Sequence, residues 1–546
     1  MAKTSKPADP PSYAKARTAL WALAALGVPV LFNVWRPDFP QNEESEIRVK
    51  VVLAVIVVAL LMIREFSPSV PTHRAGRALA LAAILAAAGY LNFGAFHGRS
   101  FIHHWEQFHY ALGAKYFPEL GYDGLYDASI EAQRASDPDA HVQDNYRDLR
   151  TNKVVATGSP DALARRQAVV AKFSPERWRA FVADNQFFVE HNDAGYLSAI
   201  RRDHGFNPPP SWTFVARLFA GWPRIDEGTL SAFAILDLLL LAALFVVVSR
   251  TYGTRWGCLA LALFGINYAG RFFWVGGAFL REDWLAAIAI GICLLEKKRY
   301  RWAGACFAYA AAVRIFPVLF LVGPAVVALR ALIRRERPRW ALNFAVGLVM
   351  TLGLAWGAGC LTGRGPGAWN EFAEHISQHS HTWLTNNVGL ADTILYDGPT
   401  LRRDLVDFSL PEPWIVWQAK MDALAKARRP VLWLAQSVLL FLIGAAAWRM
   451  EPARAAMLGL VAVFVLVLTT CYYWQMLLIV PLLRHRVLLY GTLAVNLGLY
   501  GLHFATPSFE MRYGLMSWGL LAVFLTFFVP AAWQTMARRE ARESGT

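Results

Sequence analysis

Apolar and polar positions along this chain separate into long blocks rather than alternating at helical or strand spacing. The stretches 19–35, 51–63, 78–96, 230–249, 256–276, 341–361, 431–448, 455–471 and 513–532 are almost wholly apolar. A hydrocarbon core about 30 Å thick takes roughly 20 apolar residues of helix, and sometimes as few as about 17. Backbone groups in lipid must find their hydrogen bonds within their own segment, so these blocks are expected to be helices. Buried helices of a large soluble protein are the alternative, but too many blocks exceed the length a soluble core uses. Block 19–35 follows Lys3, Lys6, Lys15 and Arg17. It is too long for a signal-peptide core and has no evident cleavage site, so it reads as an uncleaved anchor.

Composition agrees: 56% of residues are hydrophobic, 17% are charged, and the mean hydropathy is +0.32. The net charge of +14 matters less than its placement. Basic residues cluster at Lys15/Arg17, Arg64/Arg74/Arg77, Arg250/Arg255, 297–301, 330–339, Arg449/Arg454, Arg484/Arg486 and 538–542. Each cluster abuts an apolar block, which favours a topology signal over a nucleic-acid surface. The positive-inside rule assigns them all to the cytoplasm. That requires an even number of crossings between neighbours. The requirement is met if 302–313 and 316–331 form a tight hairpin and 474–483 crosses obliquely. The expected fold is an all-α polytopic bundle of about 14 transmembrane helices with both ends cytoplasmic.

The predicted organisation runs as follows. Residues 1–77 hold the cytoplasmic N-terminus and two additional transmembrane helices, and 78–96 is the first core helix. Residues 97–210 form a first large non-cytoplasmic loop, 211–361 a transmembrane core and 362–429 a second large loop. Residues 430–536 are C-terminal helices and 537–546 a cytoplasmic tail. Loops of such length are uncommon unless functional. The amphipathic stretch 173–188 reads as an interfacial helix. The five cysteines lie in or beside apolar blocks without CxxC or Cys/His spacing, and read as packing residues.

Candidate chemistry concentrates in the two outer segments. The first opens on His103-His104-Trp105-Glu106-Gln107-Phe108-His109-Tyr110. A carboxylate flanked by histidines and aromatics near a membrane surface can act as a general base, its pKa raised by partial desolvation. A solvated glutamate in an interfacial aromatic belt is the alternative. Asp123, in a turn-like cluster, could bind a sugar or simply make the turn. The run 208–210 of prolines fixes an extended entry to the membrane, and Asn207 and His204 ahead of it could serve as polar ligands. Arg281, before Glu282 and Asp283, either pairs with those acids or recognises an anion. Arg314 lies within an apolar span with no adjacent acid. Such an arginine is costly, and either holds a phosphate through bidentate hydrogen bonds or snorkels to the interface. The second outer segment carries His375, His379, His381 and Asn386-Asn387. His375 and His379, at i and i+4, could share a helix face and hold a divalent metal. Hydrogen bonding to sugar or phosphate, or a plain surface helix, are the other readings.

At these residues the chain resembles the GT-C superfamily of membrane glycosyltransferases, and more narrowly the polyprenyl-phosphate-mannose-dependent mannosyltransferases of glycosyltransferase family 87. The matching features are Glu106 followed by 110–114 and the turn 121–126, then Asn207 ahead of the prolines. Arg314-Ile315-Phe316-Pro317 matches a basic-x-x-Pro motif, and Tyr472-Tyr473-Trp474-Gln475 a late Trp-containing stretch. The order agrees over about residues 78–481. Glu106 stands where the family usually has aspartate and Arg314 where it has lysine, and the histidine often near the late Trp is missing.

The resemblance implies transfer of a sugar, mannose by that likeness, from a polyprenyl-phosphate donor to a hydroxyl of a glycan, lipid or protein acceptor. The setting implied is the extracytoplasmic face of a bacterial inner membrane. Glu106 would deprotonate the acceptor. Arg314 and Arg281 would hold the departing phosphate. Substrate contacts are expected from His104, Tyr110, Asp123, Asn207, Trp212, His381, Asn387 and Trp474, with stacking on Trp105, Trp212 and Trp383. A transporter or flippase for a lipid-linked or anionic substrate is the rival reading, with Asp237 as its mid-helix acid. An inactive relative of the enzymes is a third.

Overall fold

The computed structural model describes residues 43–66, 72–139, 142–379, 382–398 and 400–543. Block 19–35 and His381 lie outside them. The chain is mostly helical, 74%, with little sheet. Among the described residues six helices are long and apolar enough to cross a membrane: Glu227–Tyr252, Phe316–Ile333, Arg339–Cys360, Ile415–Ala447, Arg486–Ala505 and Phe509–Pro530. Their lipid-facing character is legible in Arg339–Cys360, where Leu342, Val349, Met350 and Leu354 are all exposed. An apolar surface of this extent belongs against hydrocarbon.

Close helix crossings rely on absent side chains. A Cβ on Gly347 would stand 1.9 Å from the Arg301 carbonyl oxygen, and one on Gly304 would stand 2.0 Å from that of Phe344. The helices Tyr300–Val313 and Arg339–Cys360 therefore touch backbone to backbone, the packing membrane helices use in place of a hydrophobic driving force.

Three elements depart from the sequence expectation. Block 256–276 is not one helix. It ends at Gly265, and a short turn Phe272–Val275 follows. Between them the Asn267 amide donates to the Trp474 carbonyl at 2.9 Å and accepts from Ala269 N–H at 3.1 Å. These bonds replace the helical ladder inside protein, where irregular backbone is tolerated. The late stretch Cys471–Leu483 is a buried 3-10 helix of 13 residues. The amphipathic stretch near 173–188 is the helix Pro175–Glu190, whose Phe181, Asp184, Asn185 and Phe188 are buried. It packs into the core of its own segment: Ser129 Oγ meets Asn185 Oδ1 at 2.6 Å, and Lys115 pairs with Asp184 at 2.5 Å.

The two long polar segments lie together. Arg147 pairs with Glu412 at 3.1 Å, Asn152 donates to Thr382 at 3.2 Å, and Arg364 donates to the Pro118 carbonyl at 3.0 Å. Asn387–Val388 adds a two-residue antiparallel pairing with Thr469–Thr470, which ties the second segment to the entrance of the 3-10 helix.

Candidate active site

The helix His104–Gln107 has a single turn and is held from several sides. His103 caps it, its Nδ1 accepting from Glu106 N–H at 3.3 Å. The Gln107 amide donates to the carbonyls of Leu230 and Gly277, each at 3.1 Å. Gly277 sits at φ +74°, and a Cβ there would lie 2.0 Å from the Phe101 carbonyl oxygen. Only glycine allows this approach, which clamps the glutamate segment onto the turn 276–282. A π-helical turn, Phe108–Leu112, follows. Such wide turns recur at functional sites. Here it swings the Tyr110 ring beneath two guanidinium groups: Arg281 lies 4.5 Å from the ring centroid and Arg314 5.9 Å.

Arg281 Nε meets Glu106 Oε2 at 2.9 Å, their side chains 3% and 12% exposed. The sequence alternative had Arg281 paired with its neighbours Glu282 and Asp283; its partner is instead 175 positions away in the chain. Burial raises the Glu106 carboxyl above the ordinary glutamate range, against the opposing pull of Arg281, His109 and Arg314. His109 is itself lowered by burial. Its Nδ1–H donates to the Trp105 carbonyl at 2.8 Å, which leaves Nε2 of the neutral ring to accept from Tyr126 at 2.7 Å.

Asp237 explains how the arginine is aimed. Its Oδ2 accepts from Arg281 N–H at 2.9 Å and its Oδ1 from Glu282 N–H at 3.1 Å. Leu280, one residue earlier, is at φ +50°, a strained position for a leucine. The carboxylate of the helix Glu227–Tyr252 thus fixes the turn that begins the helix Asp283–Glu296. An amide at 237 would turn one acceptor into a donor facing an N–H. Asp237→Asn is therefore expected to lower thermal stability by about 2–4 kcal/mol, as much as Asp237→Ala, through unsatisfied buried groups. A melt of Asp237→Asn equal to wild type would remove this role.

Glu106 lies on the wall of a cavity of about 920 Å³, with His104, Trp105, Asp203 and Tyr472. His104 Nδ1 contacts Asn192 Oδ1 at 3.0 Å, and Trp105 Nε1 donates to Asp203 at 2.7 Å. Asp203 and Tyr472 are wall residues the sequence did not single out as ligands. Tyr472 was signalled only by its place in the late aromatic stretch, and Asp203 only by adjoining His204.

Arg314 does not line that cavity. It ends the helix Tyr300–Val313 in extended conformation and is 7% exposed, so it is buried rather than reaching to the interface. One nitrogen donates to the Val313 carbonyl at 2.8 Å. Nε and Nη2 have no hydrogen-bond partner among the described residues. Its guanidinium lies 5.6 Å from the Trp212 ring centroid. Arg314 therefore shares no cavity wall with Glu106, although its guanidinium and that of Arg281 both lie over the Tyr110 ring.

The other expected contacts divide. Tyr110 donates to Asn207 Oδ1 at 3.2 Å, which joins both to the cluster. Trp212 is fully buried and donates to the Leu280 carbonyl at 3.0 Å, so it packs the site from behind and offers no stacking face. Trp474 is equally buried, donating to Thr469 at 3.1 Å. Asn387 pairs with Thr470, and its neighbour Asn386 reaches the cavity instead. Asp123 is exposed and does not line it. Trp383 donates to Asp422 at 2.8 Å, away from Glu106. His375 stacks on Tyr122 at 5.1 Å. Among the described residues no three His, Cys, Asp or Glu side chains gather as a metal site.

Comparison of the chain with protein-family models, curated proteins and solved structures gave no match in any of the three.

Proposed function

We propose that this chain is a membrane glycosyltransferase. It moves a sugar, mannose by the resemblance, from a polyprenyl-phosphate donor to an acceptor hydroxyl. The proposal places it as a GT-C-like bundle of about 14 transmembrane helices in a bacterial inner membrane, with its site on the extracytoplasmic side. One observation carries the reading: a buried carboxylate, Glu106, on the wall of a large cavity lined by both aromatic and polar side chains, backed at 2.9 Å by Arg281.

On this reading the acceptor hydroxyl reaches Glu106 from the cavity and gives up its proton to it. The hydroxyl oxygen forms a bond to the anomeric carbon as the bond to the phosphate oxygen breaks, and direct displacement inverts that carbon. The lipid phosphate leaves toward Arg314, whose two unpartnered nitrogens suit an oxyanion. A lipid-linked donor suits this setting because it reaches an outer-facing site through the bilayer, whereas nucleotide-sugars stay in the cytoplasm.

The transporter reading leaned on Asp237. Both of its oxygens accept backbone N–H groups, an occupation that suits a structural carboxylate better than a carrier of protons or substrate. Transfer needs no sealed compartment and transport does. The test is therefore product formation by detergent-purified protein given labelled polyprenyl-phosphate-sugar and a glycan mixture. Activity that requires sealed vesicles would overturn the enzyme reading.

A pH dependence follows. The base works ionised, and burial holds its pKa above the ordinary glutamate value. Transfer is expected to rise with pH through that raised pKa. Folded-state stability has the opposite slope there: the folded protein holds the proton longer than the unfolded chain, so it loses stability as pH rises from the ordinary glutamate pKa through the folded one. A kcat/KM profile flat from pH 4.5 to 8 would remove the carboxylate from the proton transfer.

A further inference from the structure

The wall beside Glu106 has a consistent order of charge. Among the described residues four carboxylates line the cavity: Glu43, Glu46, Glu106 and Asp203. Three have a cation, and each cation stands behind its carboxylate. Arg281 backs Glu106 at 2.9 Å, Lys50 backs Glu46 at 2.5 Å and Arg271 backs Glu43 at 2.9 Å. The side chains of these cations are only 3%, 2% and 1% exposed, and none reaches the cavity wall. Asp203 is held by the Trp105 indole N–H at 2.7 Å.

The histidines do not reverse this. Burial takes His97 down to about 3 and His103 down to about 4, so both face the cavity uncharged at neutral pH. Burial lowers His104 as well. A visiting molecule therefore meets carboxylate oxygens and the neutral imidazoles of His97 and His103, and among the described residues no arginine or lysine lines the wall.

The wall also offers flat apolar faces. Trp105 and Tyr196 stand edge to face at 5.7 Å, and Trp274 adds another indole. Trp274 Nε1 and Thr470 Oγ1, both on lining residues, are inaccessible to solvent and have no hydrogen-bond partner among the described residues. Aromatic faces against C–H surfaces, with carboxylates taking hydroxyl protons, are the complement of a sugar ring.

We infer that this cavity receives a carbohydrate acceptor bearing no anionic group, and that its carboxylate wall rejects uronates and phosphorylated sugars. The word acceptor rests on the glycosyl-transfer reading; the selection by charge does not. A neutral hydroxyl donates to Glu43, Glu46 or Asp203, and an added amino group would be favoured. A carboxylate or phosphate would face like charges at short range, with no arginine or lysine of the described residues on the wall to meet it. This is discrimination built from repulsion as well as attraction.

The test is binding to the full-length protein in a detergent without a sugar headgroup, read by saturation-transfer NMR with three probes: mannotriose, the chitosan trimer and trigalacturonate. Mannotriose and the chitosan trimer are expected to bind, and trigalacturonate to bind at least about tenfold more weakly. Asp203→Asn keeps an oxygen for the Trp105 N–H and removes one charge, so it should narrow that gap. Trigalacturonate binding as tightly as mannotriose, no saccharide binding at all, or an unchanged gap in Asp203→Asn would each overturn the inference. Saccharide selection that persists in a protein unable to transfer sugar would instead remove the enzyme reading and leave the charge selection standing.

Discussion

Glu106→Gln is expected to lower sugar transfer by about 10²–10⁴-fold while donor binding stays within a few-fold. The amide keeps the size of the side chain and an oxygen for Arg281 Nε, which lies 2.9 Å from the native carboxylate. It cannot take a proton at working pH. Donor binding is expected to persist because the phosphate contacts are proposed for Arg314, which does not line the cavity that Glu106 borders. The variant leaves Arg281 buried without its counter-charge, so rates are to be normalised to folded protein. Turnover of Glu106→Gln at the wild-type rate would end the base role.

The second large effect belongs to Arg281. Removing one member of a buried pair strands the other in a poorly solvated place, at a cost of about 3–5 kcal/mol. Arg281→Met is expected to show that loss in a thermal melt. It should also push the Glu106 carboxyl further up, since Arg281 is the strongest influence opposing its desolvation. The acid limb of the pH–rate profile would then move to higher pH. The double variant Glu106→Gln/Arg281→Met leaves neither charge behind and should recover most of the stability, though no activity. A double variant as unstable as the sum of the singles would show that the two residues act independently.

The membrane character was legible because lipid imposes one rule on every crossing segment, and that rule shows as apolar length. Glu227–Tyr252 and Arg339–Cys360 fall where the apolar blocks put them. The rule says nothing about protein-facing irregularity, so the break after Gly265 was hidden: Asn267 and Tyr268 in that break find their partners in Trp474 and Asn496, from distant parts of the chain. It also hides a helix that continues beyond the apolar stretch. Ile415–Ala447 begins well before residue 431, among charges that its own ladder tolerates.

The site was legible residue by residue and not as an arrangement. Glu106, Arg281 and Arg314 stand out because charges beside apolar spans are costly. Nothing local indicates that Arg281 would leave Glu282 and Asp283 for Glu106. That choice depends on Asp237 holding the turn and on Gly277 letting two backbones meet. Trp212 was read as a ligand because indoles often stack on sugars, and Trp474 because it falls in the late Trp-containing stretch of the resemblance. Both have their N–H taken and their surface covered, a matter of tertiary packing that an isolated tryptophan does not announce.

The 3-10 helix Cys471–Leu483 has one more implication, for how far a short segment reaches. An α-helix advances about 1.5 Å per residue and a 3-10 helix about 2.0 Å. At that stride 13 residues stretch over roughly 26 Å, as far as some 17 residues coiled in the ordinary way. Counting letters therefore understates this stretch. A slimmer, more drawn-out coil gains distance by giving up hydrogen-bond quality, a trade that burial of eleven of its thirteen residues makes tolerable.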